Sequence, residues 1–187
     1  LAHQVIVFHD QDLSIEAQKA FASRFGPLFV HPYLNALPDH PEVVEIVKQP
    51  GPQKNFGGSW HADLTYLERP MLGAVLYALD APPHGGDTLF ASMYAAWEGR
   101  AALLVSELVT THFQGMTAEE SRPLLRFLFD HLQRPEFTCR VRWKTGTVVV
   151  WDNRCTQHLA INDYPDFRRA MRRILIAGER PRRAGAA

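Results

Sequence analysis

Cys139-Arg140-Val141-Arg142-Trp143-Lys144-Thr145-Gly146-Thr147-Val148-Val149-Val150-Trp151 holds two strand signatures joined by a turn. Cys139, Val141 and Trp143 alternate with Arg140 and Arg142, the period-2 pattern of a half-buried strand. Gly146 then turns the chain into a β-branched apolar run ending at Trp151. Working outward, Leu72 to Leu79 reads as a fully buried strand, and Val43 to Val47, Val5 to Phe8 and Ile174 to Ala177 as shorter ones. Asp87 to Ala91 resumes extended structure after the turn at Pro82-Pro83-His84-Gly85-Gly86. Helical signals are fewer. Ser14 is a candidate N-cap for a helix through Arg24, stopped by Gly26-Pro27, and Tyr94 to Leu108 reads as helical. Thr117 and Glu120 form a capping-box pattern ahead of Leu124, Leu125, Leu128, Phe129 and Leu132, while Pro123 offers Ser121 as an alternative cap. Many short strands with few helices predict a mainly β, α+β chain with flanking helices around a β-barrel or jelly-roll core.

With 187 residues and 46% hydrophobic content, the expectation is one domain over residues 1–187. Lys and Arg total 20 against 20 Asp and Glu, so no net field draws the chain to nucleic acid or to a membrane. No apolar run is long enough to cross a bilayer. Leu1-Ala2-His3 does not resemble a signal peptide, and the start without Met predicts further N-terminal sequence. Two cysteines, Cys139 and Cys155, are too few for a disulfide scaffold and suit a reducing cytoplasm. The partners expected are a small-molecule substrate and a second copy of the chain in a homo-oligomer.

The chemistry-bearing residues are Trp60-His61-Ala62-Asp63 and, far downstream, Gln157-His158. In an extended segment His61 and Asp63 point the same way while Ala62 points away. Two imidazoles and a carboxylate can take one face of an iron octahedron and leave the other open. In a chain with nine histidines an H-x-D triplet is weak by itself.

Further motifs accompany it: Gly85-Gly86-Asp87-Thr88-Leu89-Phe90, Trp151-Asp152-Asn153-Arg154-Cys155-Thr156-Gln157-His158, and Asn162-Asp163-Tyr164 leading to Arg169-Ala170-Met171-Arg172-Arg173. Together with Trp60 to Tyr66, Phe25-Gly26-Pro27 and His31-Pro32, they resemble the TauD/TfdA (taurine dioxygenase) family of Fe(II)- and 2-oxoglutarate-dependent oxygenases. The resemblance implies a double-stranded β-helix fold. It implies that His61, Asp63 and His158 ligate Fe(II), with O2 and 2-oxoglutarate as cosubstrates. An aspartate at position 63, rather than a small residue, favours oxygen insertion over halogenation.

Alternation alone cannot choose between the Arg169/Arg173 and Arg168/Arg172 faces for the cosubstrate carboxylate. The resemblance selects Arg169, with Thr88 as helper, and leaves Arg168 and Arg172 as solvated strand residues. It matches Arg173 and His31 to residues that hold the substrate's anionic end, implying a sulfonate, sulfate ester or carboxylate. Glu68 and Asp163 are the internal alternatives as partners of Arg173. Tyr33, Asn55 and Tyr66 are pocket neighbours by position. The interval from His61 to His158 is shorter than usual in the family, which predicts an omitted segment near residues 111–115. Rival readings are a desaturase or cyclase of the same family, a catalytically silent binding domain with this fold, and a zinc hydrolase.

Overall fold

The computed structural model describes residues 3–97 and 105–181. Its elements are β1 (Val5–Phe8), α1 (Ile15–Ser23), β2 (Leu28–Phe29), β3 (Val43–Lys48), β4 (Gly73–Asp80), β5 (Thr88–Ser92), α2 (Ala118–Leu132), β6 (Thr138–Val141), β7 (Val148–Asp152), β8 (Thr156–Ala160) and β9 (Arg169–Ile176). Every strand pairing is antiparallel. The major sheet runs β1-β7-β4-β9-β2, with β3 also on β9, and the minor sheet runs β6-β5-β8.

Three apolar clusters stack the molecule into layers. Leu76, Trp151 and Met171 from the major sheet meet Phe90 and Val141 from the minor one. On the far face of the major sheet, Val75, Val148, Val150 and Ile174 pack under Ala22 and Phe21 of α1. Leu125 and Leu132 of α2 close over Ala91 and Met93 beside the minor sheet. Both faces of β4, β7 and β9 are therefore covered, so these strands read as continuous apolar runs rather than alternating ones. The result is a two-sheet jelly-roll sandwich flanked by helices.

Ser14 caps α1 by accepting from the Ala17 N–H, as its position in the sequence suggests. At α2 the capping box is formed by Thr117 and Glu120. The alternative cap, Ser121, lies inside the helix and instead accepts from the Phe113 N–H at 3.0 Å. Pro123 sits on the exposed side of α2, where the loss of one N–H is tolerated.

The helix expected over Tyr94 to Leu108 is not formed at its ends: Ala95–Trp97 is a single 3-10 turn and Ser106 to Thr110 is a turn, while residues 98–104 lie outside the described residues. Cys139 is exposed on the edge strand β6, and β1 is half-buried rather than buried. Arg172, expected to be solvated, is buried. Its Nε donates to Gln18 Oε1 at 2.6 Å, an NH group donates to the Leu13 carbonyl, and the guanidinium lies over Tyr77. The reason is α1, which covers the sheet face that alternation left undetermined. Arg168 remains exposed and pairs with Asp80 at 2.8 Å.

Candidate metal centre

Trp60 and the loop before it bring His61 against β8, where two backbone bonds join His61 and His158 in an isolated antiparallel bridge. The pairing sets the imidazoles side by side, with ring centroids 4.2 Å apart. His61 Nδ1 lies 2.7 Å from the Ser59 carbonyl, which can only accept, so Nδ1 donates there and Nε2 is the nitrogen turned to the other residues of the cluster. Nε2 lies 3.9 Å from Asp63 Oδ1. Gly57 makes room for the ring. Its φ is +76°, and a Cβ there would come within 2.9 Å of His61 Cε1.

Asp63 is fixed by a residue that the sequence reading passed over. Asn153, fully buried in the β7–β8 turn, accepts from the Asp63 N–H and donates to the Asp63 carbonyl, both at 2.8 Å. It also donates to the Met71 carbonyl at 3.3 Å. One amide thus fastens the Asp63 loop to the hairpin that carries His158. The signal was present, because Asn153 lies inside the quoted Trp151–His158 motif, but backbone stapling has no spacing signature.

His61, Asp63 and His158 are all buried, and one ligating atom from each lies within 4.8 Å of the others. Burial, then the neighbouring His61, pushes His158 down to about 3, so its imidazole is neutral and able to ligate. Burial works to raise the Asp63 carboxyl, yet Arg173 and the three nearby imidazoles outweigh it and the net direction is down. Asp63 is therefore ionised. Asp63 Oδ2 and His158 Nδ1 are buried without a hydrogen-bond partner among the described residues. A polar atom left so is costly unless something else engages it. Two neutral imidazoles and a carboxylate suit a divalent transition metal, and these residues fit the implied ion.

Thr88 on β5 and Arg169 on β9 line the same small cavity as His61, His158 and Arg173, about 40 Å³ in volume. Thr88 Oγ1 accepts from Trp143 Nε1 at 2.9 Å, and Arg169 lies 5.6 Å from the centroid of the Trp143 ring. Arg169 is buried, with Nε unpartnered. Burial lowers its pKa and Tyr164 and Asp87 offset this only in part, but a guanidinium stays charged.

Arg173 is also buried, and its partner is neither Glu68 nor Asp163. Its NH1 donates to Asp63 Oδ1 at 3.1 Å, and its guanidinium lies 5.3 Å from the Phe56 ring centroid. Glu68 instead pairs with Arg180, while Asp163 accepts from the Gly86 N–H and approaches Arg140. His31 lies within the field of Arg173 and Asp63; burial first, then Arg173, lowers its pKa. Its Nδ1 accepts from the Tyr33 N–H, and Tyr33 is 72% exposed. Asn55 has both ends of its amide engaged, by the Ile161 carbonyl at 2.7 Å and the Tyr164 hydroxyl at 2.7 Å. Tyr66 is not brought to the histidines. It lines a separate cavity of about 1080 Å³ together with Arg69 and Arg180.

The chain matches the family described as "Taurine catabolism dioxygenase TauD, TfdA family" over residues 1–99 and 96–175. An alkylsulfatase of Acinetobacter baylyi is 29% identical over 239 residues, covering 96% of this chain and 74% of that protein. An alpha-ketoglutarate-dependent sulfate ester dioxygenase of Pseudomonas putida is 27% identical over 240 residues, covering 96% and 78%. The crystal structure of a taurine dioxygenase from Burkholderia xenovorans superposes with a TM-score of 0.84 at 30% identity, covering 94% of this chain and 76% of that one. Fold and sequence match agree, and the chain belongs to the TauD/TfdA family of dioxygenases.

Proposed function

We propose that the chain is an Fe(II)- and 2-oxoglutarate-dependent dioxygenase that hydroxylates a small organic anion, with a sulfate ester or sulfonate as the preferred class. The observation that carries the reading is the clustering of His61, Asp63 and His158, whose histidines line a cavity together with Arg169 and Arg173. Bound ferrous iron with 2-oxoglutarate would activate O2, yielding succinate, CO2 and a hydroxylated substrate.

The chain's own residues do the rest. His61 and His158 present neutral nitrogen donors and Asp63 supplies the negative charge. Arg169 meets the distal carboxylate of 2-oxoglutarate with its guanidinium fork, and the Thr88 hydroxyl, already an acceptor from Trp143, donates to the same group. Arg173 and His31 orient the anionic end of the substrate, and Tyr33 stands at the entrance. Phe90, Trp151 and Phe56 exclude water from the cavity. Hydroxylation of a carbon bearing a sulfate or sulfonate leaves a product that collapses to an aldehyde with release of sulfate or sulfite.

The relatives named for sulfate esters support the anionic class. The free thiols of Cys139 and Cys155 support a reducing cytoplasm, and no described helix is long and apolar enough to cross a membrane.

The test is an aerobic screen of alkyl sulfates, sulfonates and carboxylates with iron and 2-oxoglutarate, reading succinate and the oxidised product. Succinate formation stimulated by an organic anion, with matching aldehyde, is expected. Product formation that is independent of 2-oxoglutarate would overturn the assignment.

A further inference from the structure

Lys48 ends β3 and is the direct cross-strand partner of Arg169 at the start of β9. Directly paired residues project from the same sheet face, and like charges in that position repel. Both are buried, Lys48 at 7% and Arg169 at 6% exposure. Neither forms an ion pair with a carboxylate among the described residues. Lys48 Nζ has one long bond, 3.4 Å to the Gly51 carbonyl, and lies 4.6 Å from the Tyr164 ring centroid. Arg169 keeps Nε unpartnered. Tyr164 and Asp87 act on Arg169, but two adjacent buried cations with no ion-paired carboxylate among the described residues are an arrangement that folding alone does not favour.

Space adjoins them. A cavity of about 140 Å³ is lined by Lys48, Asn55, Phe56, Tyr164 and Arg169. It shares Arg169, Phe56 and Ile46 with the cavity of the histidines. The ring of Tyr164, fixed through its hydroxyl to Asn55, forms the wall nearest Lys48. A ligand anchored beside His61 and His158 and reaching past Arg169 therefore ends at an ammonium group.

We propose that Lys48 is a second cation for the distal carboxylate of 2-oxoglutarate, acting beside Arg169. This rests on the 2-oxoglutarate reading given above. Arg169 supplies a planar fork and Lys48 a point charge, so one carboxylate can engage both. Binding would then turn the repulsion between two buried cations into a neutralised cluster.

The test is calorimetric titration of 2-oxoglutarate into Mn(II)-loaded protein, comparing wild type, Lys48→Met, Lys48→Arg and Arg169→Ala. Lys48→Met keeps the aliphatic stem and removes the charge. It is expected to weaken 2-oxoglutarate binding by about 10- to 100-fold, the loss of one charge-assisted hydrogen bond. Mn(II) affinity should be unchanged, Lys48→Arg should recover much of the loss, and ligand-free Lys48→Met should melt no lower than wild type. A 2-oxo acid without the distal carboxylate, 2-oxopentanoate, should bind wild type and Lys48→Met alike. Unchanged 2-oxoglutarate affinity in Lys48→Met, with Arg169→Ala impaired, would overturn the role of Lys48 alone. Failure of wild type to bind 2-oxoglutarate would overturn the parent reading. Should Lys48→Met not fold, Lys48→Gln carries the same comparison.

Discussion

Asn153 shows how much at this site depends on single residues that touch no ligand. Its amide holds both backbone groups of Asp63, so Asn153→Ala frees the loop while leaving His61, Asp63 and His158 in place. Mn(II) affinity is expected to fall about 10- to 100-fold, the usual cost of losing such support, when measured by calorimetric titration. Arg173 makes a different prediction. Arg173 and Asp63 are a buried pair, and Arg173→Ala leaves the carboxylate without its counter-charge. Metal-free protein should lose about 3–5 kcal/mol of unfolding free energy, read by urea denaturation, and bound Mn(II) should restore much of it. The two cysteines also separate cleanly. Burial pushes the Cys155 thiol up to about 12, whereas Cys139 is exposed on β6. Iodoacetamide at pH 8 should modify Cys139 in native protein and reach Cys155 only on unfolding, with the modified residue read by mass spectrometry. At this scale the motif residues were visible in the sequence, and the structure brings His61, Asp63 and His158 together. Partnerships were hidden: that Arg173 faces Asp63 rather than Glu68 or Asp163 depends on how a loop meets a strand, which no spacing records.

Strands and helices explain which sequence signals could be trusted. β4 and β7 were legible because each is buried on both faces and reads as an apolar run. β8 was not, because Thr156, Gln157 and His158 are polar although buried, serving the site rather than the core. β9 was seen only at its apolar end, since Arg169, Arg172 and Arg173 disguise a fully buried central strand. α1 supplies the missing context, covering Arg172 with Gln18, whose amide also donates to the Val75 and Arg172 carbonyls. Gln18→Met leaves the guanidinium and these carbonyls short of partners, and should cost about 1–3 kcal/mol in urea denaturation without altering metal affinity. A fall in metal affinity instead would mean that α1 reaches the site through the sheet.

Across the whole molecule, two sheets of unequal size hold the site between them. The minor sheet contributes Thr88 and His158, the major sheet Arg169 and Arg173, and the connecting loop His61 and Asp63. Aligned relatives extend beyond this chain: the alignment with the alkylsulfatase is 239 residues long, longer than the chain's 187, so that relative carries residues this chain does not. The two stretches matched to the family overlap at residues 96–99, and residues 98–104 lie outside the described set. The sheets and the histidine-aspartate cluster stand on either side of that junction and meet all the same. If these sheets bring His61, Asp63 and His158 to one ion, the metal must be visible between them. Anomalous diffraction from crystals grown anaerobically with Mn(II) and 2-oxoglutarate tests it most directly. One strong peak per chain is expected, about 2.0–2.2 Å from a nitrogen of each histidine and an oxygen of Asp63. A peak elsewhere, or His158 turned away from His61 with the metal bound by other residues, would contradict it.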